Sequence, residues 1–135
     1  MKLSLLTPSK KLVTEVEVSD LFAPGVEGEI EILPGYANFL TELGTGVVRW
    51  KQEGAAWGVA AISYGWLEVF DNKISILADV GELGTDIDET RAKKAEAKAF
   101  TKVSEGGMTD DDFKKHELKL KRAMSRMTAT KKSLS

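Results

Sequence analysis

The chain has no cysteine, a single histidine and three prolines among its 135 residues. The missing cysteine removes disulfides, thiol nucleophiles and thiolate metal sites together, and it allows a reducing compartment. His116 stands among lysines with no His/Cys/carboxylate set at metal-ligand spacing around it. It reads as a solvated helix residue, so no metal site and no catalytic acid–base pair are predicted. No apolar run approaches the roughly 18 residues that span a bilayer, and the opening "MKLSLLTPSKKL" is too short in apolar residues for an ordinary signal peptide. A soluble, unprocessed chain is predicted, one still able to dock on a membrane complex. No glycine-rich loop precedes a helix, as phosphate cradling would need, and Asp110, Asp111 and Asp112 lack the spacing of a calcium loop. The catalytic set is therefore predicted to be empty.

What is present is unevenly distributed. A chain of this length can bury about two-thirds of its unfolded surface in one core. Its net charge of −2 hides a polarity: residues 1–89 carry 6 Lys/Arg against 15 Asp/Glu, or −9, whereas residues 90–135 carry 13 against 6, or +7. Two segments with different surroundings are implied. An acidic front half argues against nucleic acid there. The basic run "KKHELKLKRAMSR" leaves open an alternative, a nucleic-acid-binding β-domain with a basic helical tail. The run lacks the interleaved aromatics of base stacking, and its periodic apolar residues favour a protein partner.

From Lys2 to Leu83 short alternating runs are separated by turn residues: "KLSLL", "VTEVEVS", "GEIEIL", "NFLTEL", "GVVRWKQ", "WGVAAIS", "WLEVF" and "KISILADV". Between them stand Ala23-Pro24-Gly25, Pro34-Gly35, Tyr64-Gly65 and Asp71-Asn72, among others. Strands at this spacing predict an antiparallel β-sandwich over 1–83. In "VTEVEVS" the alternation puts Thr14, Val16 and Val18 on one face. In "WLEVFDNKISIL" it predicts a hairpin whose inner residues are Leu67, Val69, Ile74 and Ile76, with Leu77 opposite. Trp50, Trp57 and Trp66 read as core or sheet-face packing residues.

After Leu83 helix formers take over. Asp86 with Glu89 suggests a capping box, and a second helix is signalled by "MTDDDFKKHELKLKRAMSRM", capped by Thr109 or Asp110. "SEGG" at 104–107 permits reversal, so residues 84–135 are predicted to form an α-helical hairpin and the fold class is α+β. Its apolar faces are thin: Ala92, Ala95, Ala99 and Val103 on the first helix, Phe113, Leu120, Met124 and Met127 on the second. Each buried methylene contributes about 0.8 kcal/mol, so an alanine-lined seam predicts weak docking.

"GVEGEIEILPGYANFLTEL", "GVVRW", "SYGWLEVFDNKISILADVGELGTDIDETRA" and "LKRAMSRM", in this order and spacing, resemble the epsilon-subunit family of F-type ATP synthases in its bacterial or plastid form. The resemblance implies a non-catalytic central-stalk subunit that couples proton flow to ATP synthesis. The sandwich would bind the gamma subunit and rest on the membrane ring of proton-carrying subunits, on the cytoplasmic face of the bacterial cell membrane. Glu29, Pro34, Gly35 and Tyr36 occupy the family's ring-facing positions, although the family's usual Gly-His-Ala-Pro reads Gly35-Tyr36-Ala37-Asn38 here. The hairpin would inhibit ATP hydrolysis when extended toward the alpha and beta subunits of the catalytic hexamer, through Lys114, Lys115, Lys119, Lys121, Arg122 and Arg126. No cofactor is implied beyond a regulatory ATP. Ile87, Asp88, Arg91 and Ala92 match the family's ATP motif, Arg122 and Arg126 its second-helix arginines, and Lys98 replaces a first-helix arginine.

Overall fold

The computed structural model describes residues 1–107 and 109–134, with side chains through Ala129. Met108 and Ser135, which belong to the predicted 84–135 hairpin, lie outside the described residues. Eight strands precede two helices: β1 (Lys2–Leu6), β2 (Lys11–Glu17), β3 (Asp20–Gly25), β4 (Gly28–Ile32), β5 (Phe39–Leu43), β6 (Gly46–Lys51), β7 (Gly58–Phe70), β8 (Lys73–Leu83), α1 (Glu89–Glu105) and α2 (Asp110–Leu134). Hydrogen bonding runs β2-β1-β8-β7-β5-β3-β4, and β6 pairs with both β3 and β7. That double pairing folds the sheet back on itself as a sandwich. β1 and β8 are parallel, a departure from the all-antiparallel expectation. The core holds Leu3, Leu5, Leu21, Ile32, Leu43, Val48, Leu67, Val69, Ile74 and Ile76, all drawn from the strands.

The turn chemistry operates as the sequence dictates. Asp71 and Asn72 both take positive φ, 50° and 62°, which fits the right-handed twist of the long β7–β8 hairpin. Leu67, Val69, Ile74 and Ile76 point inward and Leu77 outward. At Pro34-Gly35 the Tyr36 N–H donates to the Leu33 carbonyl at 3.2 Å, with Gly35 at φ 83°, a type II turn.

Within the sandwich, further expectations change. Tyr64-Gly65 does not separate two strands: β7 runs through it, with Tyr64 at φ 57°. Residues 58–62 pair with β6 and residues 65–69 with β5, so the kink marks where one strand passes from one partner to the other. Ala23-Pro24-Gly25 is not a turn either but the end of β3, held by the Gly44 N–H donating to the Pro24 carbonyl at 2.9 Å. In β2 a bulge at Glu15, φ 47°, shifts the register against β1. Val13 and Val16 therefore turn toward the core while Thr14 faces water, reversing the phase expected for Thr14. Of the tryptophans, Trp50 is core, Trp57 is partly exposed beside Phe22 and Arg49, and Trp66 is 51% exposed.

A single 3-10 turn over Gly84–Asp86 leads from β8 into α1. The cap is Asp88 rather than Asp86: its Oδ1 accepts from the Arg91 N–H at 3.0 Å. Thr109 Oγ1 accepts from Asp112 N–H at 3.2 Å and caps α2, while Gly106 and Gly107 at positive φ allow the reversal. The hairpin packs on β6 and β7 through a second, smaller cluster of Val59, Ala61, Ile87, Ala92, Met127 and Ala129.

Candidate functional site

On the hairpin-facing side of the β7–β8 ladder, Ala61 opposes Glu82 and Ser63 opposes Val80. On α1, Ala95, Lys98, Ala99 and Lys102 recur at helical spacing and share a face. On α2, His116, Lys119, Ala123 and Arg126 do the same, with Arg122 beside them. These three surfaces enclose a partly open cavity of about 610 Å³. The alanines bring backbones close, and the long cationic side chains lay their stems along its walls.

Two arginines hold the hairpin down. Arg122 Nε donates to Ser63 Oγ at 2.8 Å, and Ser63, buried in the sheet, shares a hydroxyl contact of 2.9 Å with Thr45. Arg126 Nε donates to Glu82 Oε2 at 3.1 Å. Among the described residues, five cations thus border the cavity, Lys98, Lys102 and Lys119 exposed and Arg122 and Arg126 half-buried, against the carboxylate of Glu82. Such an excess of one sign around a concave wall favours an anionic occupant.

The inward face of α2 differs from expectation. Met127 is buried, but Phe113 and Met124 are substantially exposed; Ala123, Ser125 and Ala129 are buried instead, and the arc they share contains Arg122 and Arg126. Helical period identifies residues that share a face, and here the polar face won because its partner is a cavity and two sheet acceptors. His116, expected in solvent, is half-buried on the cavity wall.

Of the residues read as an ATP site, Arg122 and Arg126 reach the cavity, as does Lys98. The others do not line it. Ile87 and Ala92 pack in the smaller core, Asp88 caps α1, and Arg91 is exposed. Lys102, Lys119, His116 and Glu82 line it unanticipated; the signal was the Ala95/Ala99 and Ala123 spacing, which places them on the same faces. Of the basic residues on α2, Lys114, Lys115 and Lys121 point to solvent, Lys121 3.8 Å from Glu117; Lys119 is exposed but borders the cavity, and Arg122 and Arg126 are half-buried on its wall.

Glu29 and the Pro34-Gly35-Tyr36 turn stand at opposite ends of the edge strand β4. At about 3.3 Å per residue they are roughly 17 Å apart, so they do not form one compact patch. Glu29 lies 4.0 Å from Arg49 and lines a smaller groove with Met124 and Thr128 of α2. Tyr36 is exposed and packs beside Phe39, ring centroids 5.7 Å apart. Elsewhere, Leu40, Trp66, Phe70 and Leu77 leave an apolar face of β5, β7 and β8 open, Trp66 and Leu77 being direct cross-strand neighbours.

Comparison with known proteins extends over both parts. The family model of the ATP synthase Delta/Epsilon chain β-sandwich domain matches residues 1–84, and that of the long α-helix domain matches residues 85–131. The chain is 37% identical over 133 residues to the ATP synthase epsilon chain of Geobacter metallireducens and 38% identical over 133 residues to that of Trichlorobacter lovleyi. Each alignment covers 98% of this chain and 95% of the relative. Among solved structures, a chain of the Euglena gracilis mitochondrial ATP synthase OSCP/F1/c-ring assembly is similar with a TM-score of 0.81 at 20% identity, covering 100% of this chain and 81% of that one. A chain of the Tetrahymena thermophila mitochondrial ATP synthase central stalk and c-ring gives 0.57 at 18% identity, covering 100% and 96%. These two likenesses speak to the fold. The nucleic-acid alternative falls, because the family match includes the basic tail and Arg122 and Arg126 of that tail are engaged by the sheet. The chain belongs to the ATP synthase Delta/Epsilon chain family, whose epsilon chains are non-catalytic accessory subunits of the synthase.

Proposed function

We propose that this subunit works in the central stalk of the synthase as a coupling element with a releasable inhibitory hairpin. The observation that carries the reading is how the hairpin is held: two arginine latches and a small cluster of mostly small residues around a cation-lined cavity, in place of a continuous apolar seam. An element fixed this way can leave its dock without breaking the sandwich core, which draws nothing from it.

In this reading the open face of Leu40, Trp66, Phe70 and Leu77 is covered by the gamma subunit. The exposed edge strand β4, from Glu29 to Tyr36, meets the ring of proton-carrying subunits at two points. On release, Lys119, Arg122 and Arg126 join Lys114, Lys115 and Lys121 on one basic helix, which engages acidic surfaces of the alpha and beta subunits and stops hydrolysis. ATP in the cavity neutralises the inward cations and favours the docked hairpin, with Arg122, Arg126 and Lys98 as phosphate ligands. Asp88, Ile87 and Ala92 act there indirectly, by fixing the start of α1. The subunit is peripheral to the membrane, on the cytoplasmic side of the bacterial cell.

The test is ATP hydrolysis by the reconstituted catalytic complex with the full chain and with a version ending at Leu83. Faster hydrolysis with the shorter form, while it still binds gamma, is the expected result. Equal rates would reject the inhibitory hairpin. For the ring contact, Glu29→Ala with Tyr36→Ala is expected to lower proton pumping in reconstituted vesicles, and undiminished pumping would reject it.

A further inference from the structure

We propose that Met127 is an oxidation site gated by hairpin docking: its thioether is shielded while α2 lies on the sheet, reacts with hydroperoxide when α2 leaves, and as the sulfoxide keeps the hairpin released. This rests on the releasable hairpin proposed above and adds to it a modification and its chemistry.

The sulfur of this chain is all thioether, four methionines and no cysteine. Two of them, Met124 and Met127, stand three positions apart on α2 and are neighbours on its surface. The sheet treats them differently. Met124 is 51% exposed at the rim of the shallow groove it shares with Pro24, Gly28 and Glu29. Met127 is 6% exposed and packs with Val59 and Ala61 of β7 and with Ile87 and Ala92 at the start of α1. Met1 is equally shielded, at 4%, but by the sandwich core, in which no described hairpin residue takes part. Three thioethers thus have three kinds of access: open, closed by the docked hairpin, and closed by the sandwich itself.

The cluster around Met127 fits a thioether and not a sulfoxide. In the reaction a sulfur lone pair attacks one peroxide oxygen, the S–O bond forms as O–O breaks, and the other oxygen leaves with the proton as water or an alcohol. Sulfur loses two electrons and the peroxide gains them. The oxygen of the product is a hydrogen-bond acceptor that needs a donor when buried. Among the described residues, the side chains of Val59, Ala61, Ile87, Ala92, Ala129 and the adjoining Val47 offer none. The backbone donors nearby are engaged: the Ile87 N–H donates to the Gly84 carbonyl at 3.4 Å and the Ala92 N–H to the Asp88 carbonyl at 2.9 Å, while Val59 and Ala61 pair with Arg49 and Val47 in the β6–β7 ladder. Redocking therefore buries the new oxygen unpaired, in a cluster with few sizeable members to offset the cost. Oxidation traps the released hairpin, and thiol-dependent reduction of the sulfoxide lets it dock again.

The test exposes the full chain to hydrogen peroxide and follows each methionine by peptide mass mapping. The expected order is Met124 fastest, Met127 at least about tenfold slower, and Met1 at least about tenfold slower again. In a Met124→Leu chain, the Met127 sulfoxide is expected to speed amide exchange of α1 and α2 by about tenfold or more with β1, β7 and β8 unchanged, and methionine sulfoxide reductases are expected to reverse the effect. The Met124→Leu, Met127→Leu double variant, which carries no thioether at the dock, is expected to keep its protection after the same treatment. Met127 oxidising as fast as Met124 would overturn the gating. Met127 and Met1 oxidising at one common rate would overturn both the inference and the releasable hairpin, since Met127 would then open only with the whole fold. Selective oxidation of Met127 with helix protection unchanged would overturn the inference alone and leave the releasable hairpin intact.

Discussion

At the scale of single residues, neighbours at the kink of β7 obey opposite rules. Tyr64 holds a left-handed φ of 57°, which costs a residue with a Cβ about 1–2 kcal/mol relative to its ordinary conformation. Gly65 has no positive φ, yet a Cβ there would stand 2.2 Å from the Leu77 carbonyl oxygen and 2.9 Å from the Ala78 Cα, both backbone. Glycine at 64 therefore relieves strain, and alanine at 65 creates it. Tyr64→Gly is expected to raise stability toward urea by up to about 1 kcal/mol, since the exposed ring gives up little packing. Gly65→Ala is expected to lower it by roughly 2 kcal/mol or more, because the β7–β8 ladder must spread. Unfolding midpoints of the two variants on opposite sides of the parent would support this account; a stable Gly65→Ala variant would show that the ladder gives way easily. From the sequence the pair reads only as a turn signal, since Gly next to a bulky residue does not tell whether φ or close approach is the reason.

At the scale of elements, legibility follows how local the cause is. The Asp71-Asn72 hairpin, the Pro34-Gly35 turn and the cap by Thr109 depend on residues within a few positions, and the sequence alone predicts them. The bulge at Glu15 depends on Ser4, whose Oγ accepts the Glu15 N–H at 3.2 Å, and no local pattern announces it. The orientation of α2 is likewise set by a remote partner. Its apolar stripe and its cationic stripe are both periodic, and Ser63 and Glu82, 59 and 44 residues away from Arg122 and Arg126, decide which turns inward. Glu82 is thus the residue through which the sandwich holds the helix electrostatically. Glu82→Gln keeps the shape and removes the negative charge that Arg126 meets at 3.1 Å. Arg126 and Glu82 are 26% and 31% exposed, so screening limits the effect to about 1 kcal/mol. Hydrogen exchange of the α1 and α2 amides is expected to quicken about fivefold at low salt and less at high salt, with β7 and β8 unchanged. Equal protection at every ionic strength would mean that Glu82 acts by shape alone. The open sheet face makes a parallel case: Trp66→Lys, at a position with no core role, is expected to weaken copurification with gamma while leaving the unfolding midpoint within about 0.5 kcal/mol of the parent.

At the scale of the whole molecule, two hydrophobic clusters of unequal strength share one chain. The sandwich cluster contains large residues that are fully buried, Leu3, Leu21, Leu43 and Ile76 among them. Among the described residues the hairpin cluster has Ile87, Met127 and Val59 as its sizeable buried members, with Val47 packed against them, and alanines fill the rest. At about 25 cal/mol per Å² of apolar surface, the second supports docking far more weakly than the first supports folding. The thin seam was visible in the sequence; the two arginine contacts that supplement it, on Ser63 and Glu82, were not. Unfolding should consequently occur in two steps. In a Trp57→Phe, Trp66→Phe background the fluorescence of Trp50, 4% exposed in the core, reports the sandwich, while far-ultraviolet circular dichroism at helical wavelengths reports the hairpin. The helical signal is expected to fall at lower urea than the Trp50 signal, and added ATP is expected to move the helical transition toward the other by mass action on the docked form. Coincident transitions in the absence of ATP would make hairpin and sandwich one cooperative unit, and an element that cannot leave without unfolding its host cannot serve as the switch.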